Sequence, residues 1–425
     1  MLKKLNRNIA PLVEMIDNIM FQYPEQQSYH DIETYVFNIG TNAYSLIQFI
    51  FPAGKIHSTK KLVADLTADM LLSGTLNKTS YEIAELLDFY GASIESHCNE
   101  DETTVRVYCL SRHLELVLDL VKEILFDAVF PEEEATIILS KWKQKQQINF
   151  QKTEYVATRL FKNILFGNVH SYGNLVEQED FDKVSTVDVK EFYQQHYVHA
   201  KYKVVTAGCA PDKMNALLQK FTSDNASIRQ SQIAPFVAAL PNSTKIHSVE
   251  MPNVVQSSIV IGREMFNMHH QDYMDFYVLN SLLGGYFGSR LMSNLREDKG
   301  YTYGVHSTIY TRLYTGVFEI STEVNKENTQ AAIDEIKIEL LRLRMELVEE
   351  EELQIVKNYI IGHTLRGIDG PIKTSKLFKT LLVHDLNFNF SKEFENSVRK
   401  VSPQRLNELA NQYLKEDDLY QVVVG

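Results

Sequence analysis

The sequence predicts an α+β protein built from two homologous halves, each a mixed or antiparallel sheet flanked by helices. Three observations lead there. The stretch from Ser185 through Tyr197 to Gly208 recurs as Ser402 through Tyr413 to Gly425, spanning 23 residues both times. The same offset of 217 residues carries Glu132-Glu133-Glu134 onto Glu349-Glu350-Glu351, and each cluster precedes a long helical pattern. Each half also repeats one order of patterns: strand, helix, strand pair, helices, and a β-branched strand closing on Gly. Repeats of this kind mark duplication. Paired strands without strict strand–helix alternation mark an α+β class rather than a parallel sheet.

Taken in order, the opening strands are expected at 44–51 and 257–263, both short runs rich in apolar and β-branched residues. Helices follow at 57–72 and 273–284. The strand pairs lie at 92–98 with 103–109, and at 303–310 with 316–324. Helices at 114–125 and 133–150 show the 3.6-residue apolar spacing. Amphipathic helices at 186–196 and 403–413 lead into closing strands at 203–207 and 420–424. A smaller offset of 214 relates Gly74-Thr75 to Gly288-Ser289. The halves therefore divide as 1–224 and 245–425. Residues 225–244 hold Ser, Gln, Asn, Pro235 and Pro241, a composition suited to an extended linker.

Composition narrows the function classes. The 425 residues are 44% hydrophobic and 23% charged, with 18 Gly and 10 Pro, as in ordinary globular protein. The net charge of −12 argues against a general nucleic-acid binder. Cys98, Cys109 and Cys209 build no disulfide framework and form no CxxC pair. No apolar run approaches the ~18 residues that span a bilayer. Residues 1–8 are basic, but Pro11, Glu14 and Asp17 interrupt the stretch after them, so no signal peptide is expected. The expected setting is cytoplasmic, with no nucleic-acid or membrane partner.

The motif search first removes common chemistries. There is no GxSxG elbow and no Walker loop. Gly284-Gly285…Gly288 follows a helical pattern rather than a strand, which excludes a dinucleotide fingerprint. The 13 His are scattered. His269-His270 reads as a surface pair and His363 as structural. His97 and Cys98 beside Glu100-Asp101-Glu102 lack metal-ligand spacing.

Five strings carry more information. They are Leu66-Thr67-Ala68-Asp69-Met70-Leu71-Leu72-Ser73-Gly74-Thr75, Gly91-Ala92-Ser93, Thr103-Thr104-Val105, His170-Ser171-Tyr172-Gly173, and the run from Gly284 to Tyr303. The last reads Gly284-Gly285-Tyr286-Phe287-Gly288-Ser289-Arg290-Leu291, then Leu295-Arg296-Glu297-Asp298-Lys299-Gly300-Tyr301-Thr302-Tyr303. Together they resemble the pitrilysin/insulinase metallopeptidases, which include mitochondrial processing peptidase, over about 36–425. The resemblance implies two similar α+β halves around a peptide chamber.

It also implies a zinc helix of pattern H-x-x-E-H in the first half. Two His at i and i+4 would ligate zinc, and the Glu would serve as general base. Here those positions hold Asp65, Ala68 and Asp69. Both imidazoles and the base are missing. The family's third ligand, a Glu on a later helix, falls at Lys141 when counted from Glu134, or nearer Lys145 when counted back from His170. No Asp or Glu occurs from 135 to 153. No metal is expected in this chain. Lys141 is expected to offset the repulsion between Asp65 and Asp69 with a salt bridge.

Arg296 and Tyr303, seven residues apart with Gly300 between, match the family's substrate-binding Arg/Tyr pair. By the resemblance they bind the peptide backbone and steady the tetrahedral intermediate, and no residue of this chain is catalytic. A guanidinium grips a carbonyl or carboxylate with paired donors, and a phenol donates to an oxyanion. The family includes two-chain enzymes in which one member carries zinc and the other supplies this pair. The resemblance thus implies an inactive subunit with no cofactor of its own, a zinc-bearing homologous partner and a peptide substrate. A structural or assembly protein, or a homodimeric peptide-binding clamp, stands as the alternative. A sheet edge at 92–98 would offer main-chain pairing to extended peptide. The Gly91-Ala92-Ser93-Ile94-Glu95 sequence departs there from the family's second Gly and Asn-Ala.

Overall fold

Duplication is visible in the strand order. The computed structural model describes residues 18–38, 43–223, 239 and 241–425. The expected linker 225–244 lies outside them apart from 239 and 241–244. Residues 1–17, on which the expectation of no signal peptide rests, also lie outside them.

The first sheet holds β1 (Glu25–Tyr29), β2 (Ile32–Phe37), β3 (Tyr44–Phe51), β4 (Ser93–Cys98), β5 (Thr103–Leu110) and β6 (Lys203–Ala207). Its order is β1-β2-β6-β3-β5-β4. The second holds β7 (Ile246–Val249), β8 (Gln256–Met265), β9 (Val305–Thr311), β10 (Gly316–Asn325) and β11 (Tyr420–Val424), in the order β7-β11-β8-β10-β9. Past β1 the two orders correspond strand for strand. β2 runs parallel to β6 as β7 does to β11, and every later neighbour in both sheets is antiparallel. The mixed sheets and flanking helices are those the sequence predicts.

Helices fill the intervals. In the first half they are α1 (Val63–Met70), α2 (Ser80–Tyr90), α3 (Leu114–Phe126), α4 (Glu132–Asn149), α5 (Thr153–Phe166), α6 (Thr186–Tyr193) and α7 (Pro211–Thr222). In the second they are α8 (Tyr273–Asn280), α9 (Thr329–Met345), α10 (Glu350–Gly367), α11 (Pro371–Val383), α12 (Phe388–Lys400) and α13 (Pro403–Tyr413). Local sequence explains their ends. Thr79 and Glu82 form a reciprocal capping box at α2, and Ser185 and Asp188 do the same at α6. Pro403 occupies the first turn of α13, where its missing N–H costs nothing.

Several expected elements end elsewhere, among them the helix expected over 186–196, which changes to a wide turn at Gln194–Val198. The helix expected over 57–72 begins only at Val63, after a 3₁₀ turn at Lys55–His57. The helix expected over 273–284 changes to a wide i→i+5 turn at Ser281–Gly285. The strand expected from 303 starts at Val305, because Thr302 hydrogen-bonds Gly304 and the Glu323 carbonyl and holds the chain in a turn.

Each sheet is covered partly by a helix from the opposite half. Ala157, Phe161, Ile164 and Leu165 of α5 bury against Val260, Val317, Val422 and Val424 of the second sheet. Phe378 of α11 packs against Tyr35 and Phe37 of β2, at 5.2 and 5.5 Å between ring centres. Gln48 of β3 donates to the Ser375 carbonyl of α11. Part of each sheet's apolar surface is thereby removed from water by reciprocal exchange, the helices of its own half covering the rest of its core.

Candidate functional site

The first region is α1, where Asp65, Ala68 and Asp69 share one turn-to-turn stretch of helix. Ala68 is 1% exposed and offers no donor or base. Asp65 pairs with Lys55 at 3.2 Å. Lys55 reaches α1 because Gly54 lets the chain press against the 100–102 turn. A Cβ on Gly54 would come within 2.3 Å of the Asp101 carbonyl carbon. Lys55 and Ile56 donate backbone N–H bonds to the Asn99 and Glu100 carbonyls. Glu100 in turn pairs with Arg312, just past β9, at 3.1 Å.

Charges therefore alternate from α1 into the second half: Asp65, Lys55, Glu100, Arg312. Burial raises the Asp65 carboxyl despite Lys55, and Glu100 adds to the rise. Burial alone would lower the Lys55 ammonium, but Asp65 and Glu100 outweigh it and hold it above its usual value. Burial also works against the Glu100 carboxylate, yet Arg312 and Lys55 prevail and lower it. Asp69 is raised, first by desolvation and then by Asp65, while the Trp142 indole and the Lys145 cation oppose the rise.

These residues do not fit zinc. Asp65 is engaged by an ammonium, position 68 is a methyl group, and Asp69 faces an indole and a lysine. Among the described residues no three His, Cys, Asp or Glu gather as a ligand set. The expected salt bridge from Lys141 is not formed. Lys141 is exposed on α4, and among the described residues no ion pair joins it to either aspartate. Trp142 and Lys145 occupy the side of α4 that meets Asp69, and Lys55 does what Lys141 was expected to do. Nothing in the sequence marks Lys55, since it acts from an irregular segment ten residues before Asp65.

A cleft of about 480 Å³ opens beside the start of α1, lined in part by Lys55, Lys60, Lys61, Asp65, Arg159 and Lys162. Lys60 pairs with Asp188, Lys61 with Asp180 and Arg159 with Glu177. A second cleft of about 270 Å³ is lined by Glu154, Thr158, Tyr303, His306 and Glu323 among others. Thr158 of α5 lines both, so the two clefts adjoin across that helix.

Arg296 and Tyr303 belong to the second region. Gly284 builds it by letting the Ser281–Gly285 turn press on edge strand β9. A Cβ there would lie 2.6 Å from the Ser307 nitrogen. Asn280 and Ser307 then exchange side chain-to-carbonyl bonds at 3.2 and 3.0 Å. Arg290 forks onto Glu352 of α10 at 2.8 and 2.7 Å, which gives it a structural place. Arg296 sits in a second wide turn, Met292–Asp298. Gly300, at φ 66°, reverses the chain, and the Tyr301 N–H closes on the Leu295 carbonyl.

Both members of the pair are uncommitted. Tyr303 is 91% exposed and precedes β9 instead of packing on a strand. Among the described residues no carboxylate pairs with Arg296, although neighbouring acids do pair elsewhere. Glu335 takes Lys299 and Asn294, and Glu339 takes Asn294 and Arg342. Arg296 instead lies over the Phe287 ring, 4.6 Å from its centre. Phe287 is the site residue that motif reasoning passes over, although it stands within the run from Gly284 to Tyr303.

Family models match both halves: "Insulinase (Peptidase family M16)" over residues 36–176 and "Peptidase M16 inactive domain" over 183–360. The chain belongs to the insulinase (M16) family, as a member without the family's zinc motif. It is 23% identical over 370 residues to "Uncharacterized zinc protease YmxG" of Bacillus subtilis, covering 86% of this chain and 89% of that protein. It is 22% identical over 378 residues to "Non-peptidase homolog YmxG" of Helicobacter pylori, covering 85% and 84%. The solved M16 inactive domain from Pseudomonas fluorescens superposes with a TM-score of 0.87 at 20% identity, over 95% of this chain and 98% of that one.

Proposed function

We propose that this chain is the zinc-free subunit of a two-chain zinc peptidase. It closes the peptide chamber and presents Arg296 and Tyr303 to a substrate cut by a zinc-bearing homologue. The carrying observation is a contrast between its two regions. The former zinc positions are refilled by Lys55, a methyl group and the Trp142/Lys145 side of α4. The Arg/Tyr pair has Arg296 on the Phe287 ring, with no carboxylate partner among the described residues, and Tyr303 in solvent. Paired donors on Arg296 would hold a peptide carbonyl, and the Tyr303 hydroxyl would donate to the oxyanion that develops on it. Among the described residues no strand pairs with the outer edge of β4, which would offer main-chain groups to an extended peptide.

Mixing tests the reading. The purified chain alone should cleave no peptide, and a homologue carrying the intact H-x-x-E-H helix should gain activity when the two are combined. Chelator-sensitive cleavage by this chain alone, or indifference of every such homologue to its addition, would sink it.

A further inference from the structure

Phe287 is 61% exposed. A single exposed phenylalanine needs no special account. Its neighbours, however, are fixed. Tyr286 packs on Tyr359 with ring centres 4.8 Å apart, and Ser289 is 1% exposed. A Cβ on Gly288 would come within 2.9 Å of the Tyr286 ring. The segment is thus anchored on both sides of a ring that stays in solvent.

That ring holds Arg296. A carboxylate partner would consume two of the five guanidinium N–H donors. Arg290, six residues earlier, shows this outcome in its fork with Glu352. An aromatic face attracts the cation through its quadrupole and, unlike a carboxylate, makes no paired hydrogen bonds with its N–H donors. The string therefore treats its two arginines oppositely, one spent on structure and the other steadied without being spent.

We infer that Phe287 is a positioning and specificity residue of the peptide site. One face of its ring holds the Arg296 guanidinium with the donors free, and the remaining exposed ring packs against an apolar side chain of the bound peptide. This rests on the proposed substrate role of Arg296. The substrate class it adds is peptide with an apolar or aromatic residue beside the carbonyl that Arg296 grips.

The test uses the full chain and two fluorescein-labelled nonapeptides of Ala and Ser, one with a central Phe and one with a central Ala, read by anisotropy. Wild type should bind the central-Phe peptide more tightly. Phe287→Leu should weaken that peptide about three- to tenfold and shrink the preference for Phe over Ala. Phe287→Trp should restore both, since indole is the best cation–π partner. Phe287→Glu, which hands Arg296 a carboxylate, should bind as weakly as Arg296→Ala. Thermal midpoints should stay at the wild-type value, because the ring is not part of the core. Wild-type binding by Phe287→Leu, with Arg296→Ala still weakened, overturns this inference alone. Wild-type peptide binding that ignores Arg296→Ala, or no binding of either peptide, overturns the substrate role of Arg296 and this inference with it.

Discussion

Lys379 of α11 and Glu102, between β4 and β5, form a buried ion pair across 277 residues of chain. Glu102 is 4% exposed and also receives Asn99 Nδ2 and the Thr104 hydroxyl, so its oxygens are satisfied. The pair ties the exchanged helix to the first sheet. Removing one partner strands a buried charge, which costs about 3–5 kcal/mol, whereas removing both costs much less. Lys379→Met should lose that much in urea denaturation, and adding Glu102→Gln should recover most of it. A single variant within ~1 kcal/mol of wild type would show that the pair contributes little.

Acid should weaken the fold through His196. Burial, then the neighbouring His57, lowers its imidazole to about 4, while Nδ1 lies 3.1 Å from the Pro52 carbonyl. The unfolded chain titrates near the usual 6.5. A base with a depressed folded value keeps its full contribution above about pH 6.5 and loses it as pH falls toward 4. The loss amounts to about 3 kcal/mol at the acid end. His196→Gln should lessen the fall in stability between those limits, with buried His384, also lowered to about 4, supplying part of what remains. An unchanged slope in denaturation curves across that range would count against the assignment.

Restoring the motif alone should not restore zinc. A Glu at position 68 would enter a site 1% exposed, and Lys145 faces the helix where an acid would be needed. The triple variant Asp65→His, Ala68→Glu, Asp69→His should therefore keep well under one zinc per chain after dialysis. Adding Lys145→Glu should raise the zinc content. If the triple variant alone holds a full equivalent by atomic emission, the missing third acid is not the barrier. Chelator should leave the thermal midpoint of the wild-type chain unmoved.

Local pattern in the sequence controls part of the fold, and that part was legible. The bounds of β3, β6, β11 and α13 follow from short apolar runs, Gly stops and a Ser-Pro helix start. Strands β2 and β7 were not, because they pair in parallel with β6 and β11, far along the chain, and β1 is a polar, mostly exposed strand that shows no apolar alternation and forms only as the hairpin partner of β2. Nor could α5 be assigned to the second sheet, because an apolar helix face does not name the surface it will cover. The erased zinc helix was legible from three residue identities. Its compensation was legible only in part, since counting along α4 pointed to Lys141 or Lys145, of which Lys145 meets Asp69, while the Lys55–His57 turn supplied the partner of Asp65. Arg296 and Tyr303 were singled out by their string, while the exposure of Tyr303 and the seat of Arg296 on the Phe287 ring are tertiary facts.

The two members of the pair should fail differently in a mixture with an active zinc homologue. Tyr303 reaches solvent at 91% exposure and brings one hydroxyl. If that hydroxyl donates only to the developing oxyanion, Tyr303→Phe removes a bond made in the transition state and absent from the ground state. Losing one such donor costs about 10²–10³ in kcat, with KM nearly unchanged. Arg296 would grip the ground-state carbonyl as well, so Arg296→Ala should raise KM together with lowering kcat/KM. Neither variant should alter the elution volume of the mixed complex, because Tyr303 stands in solvent and Arg296 touches the exposed Phe287 ring. Full turnover in either variant would remove that residue from the site. Loss of the complex itself would move it from substrate binding to the subunit contact.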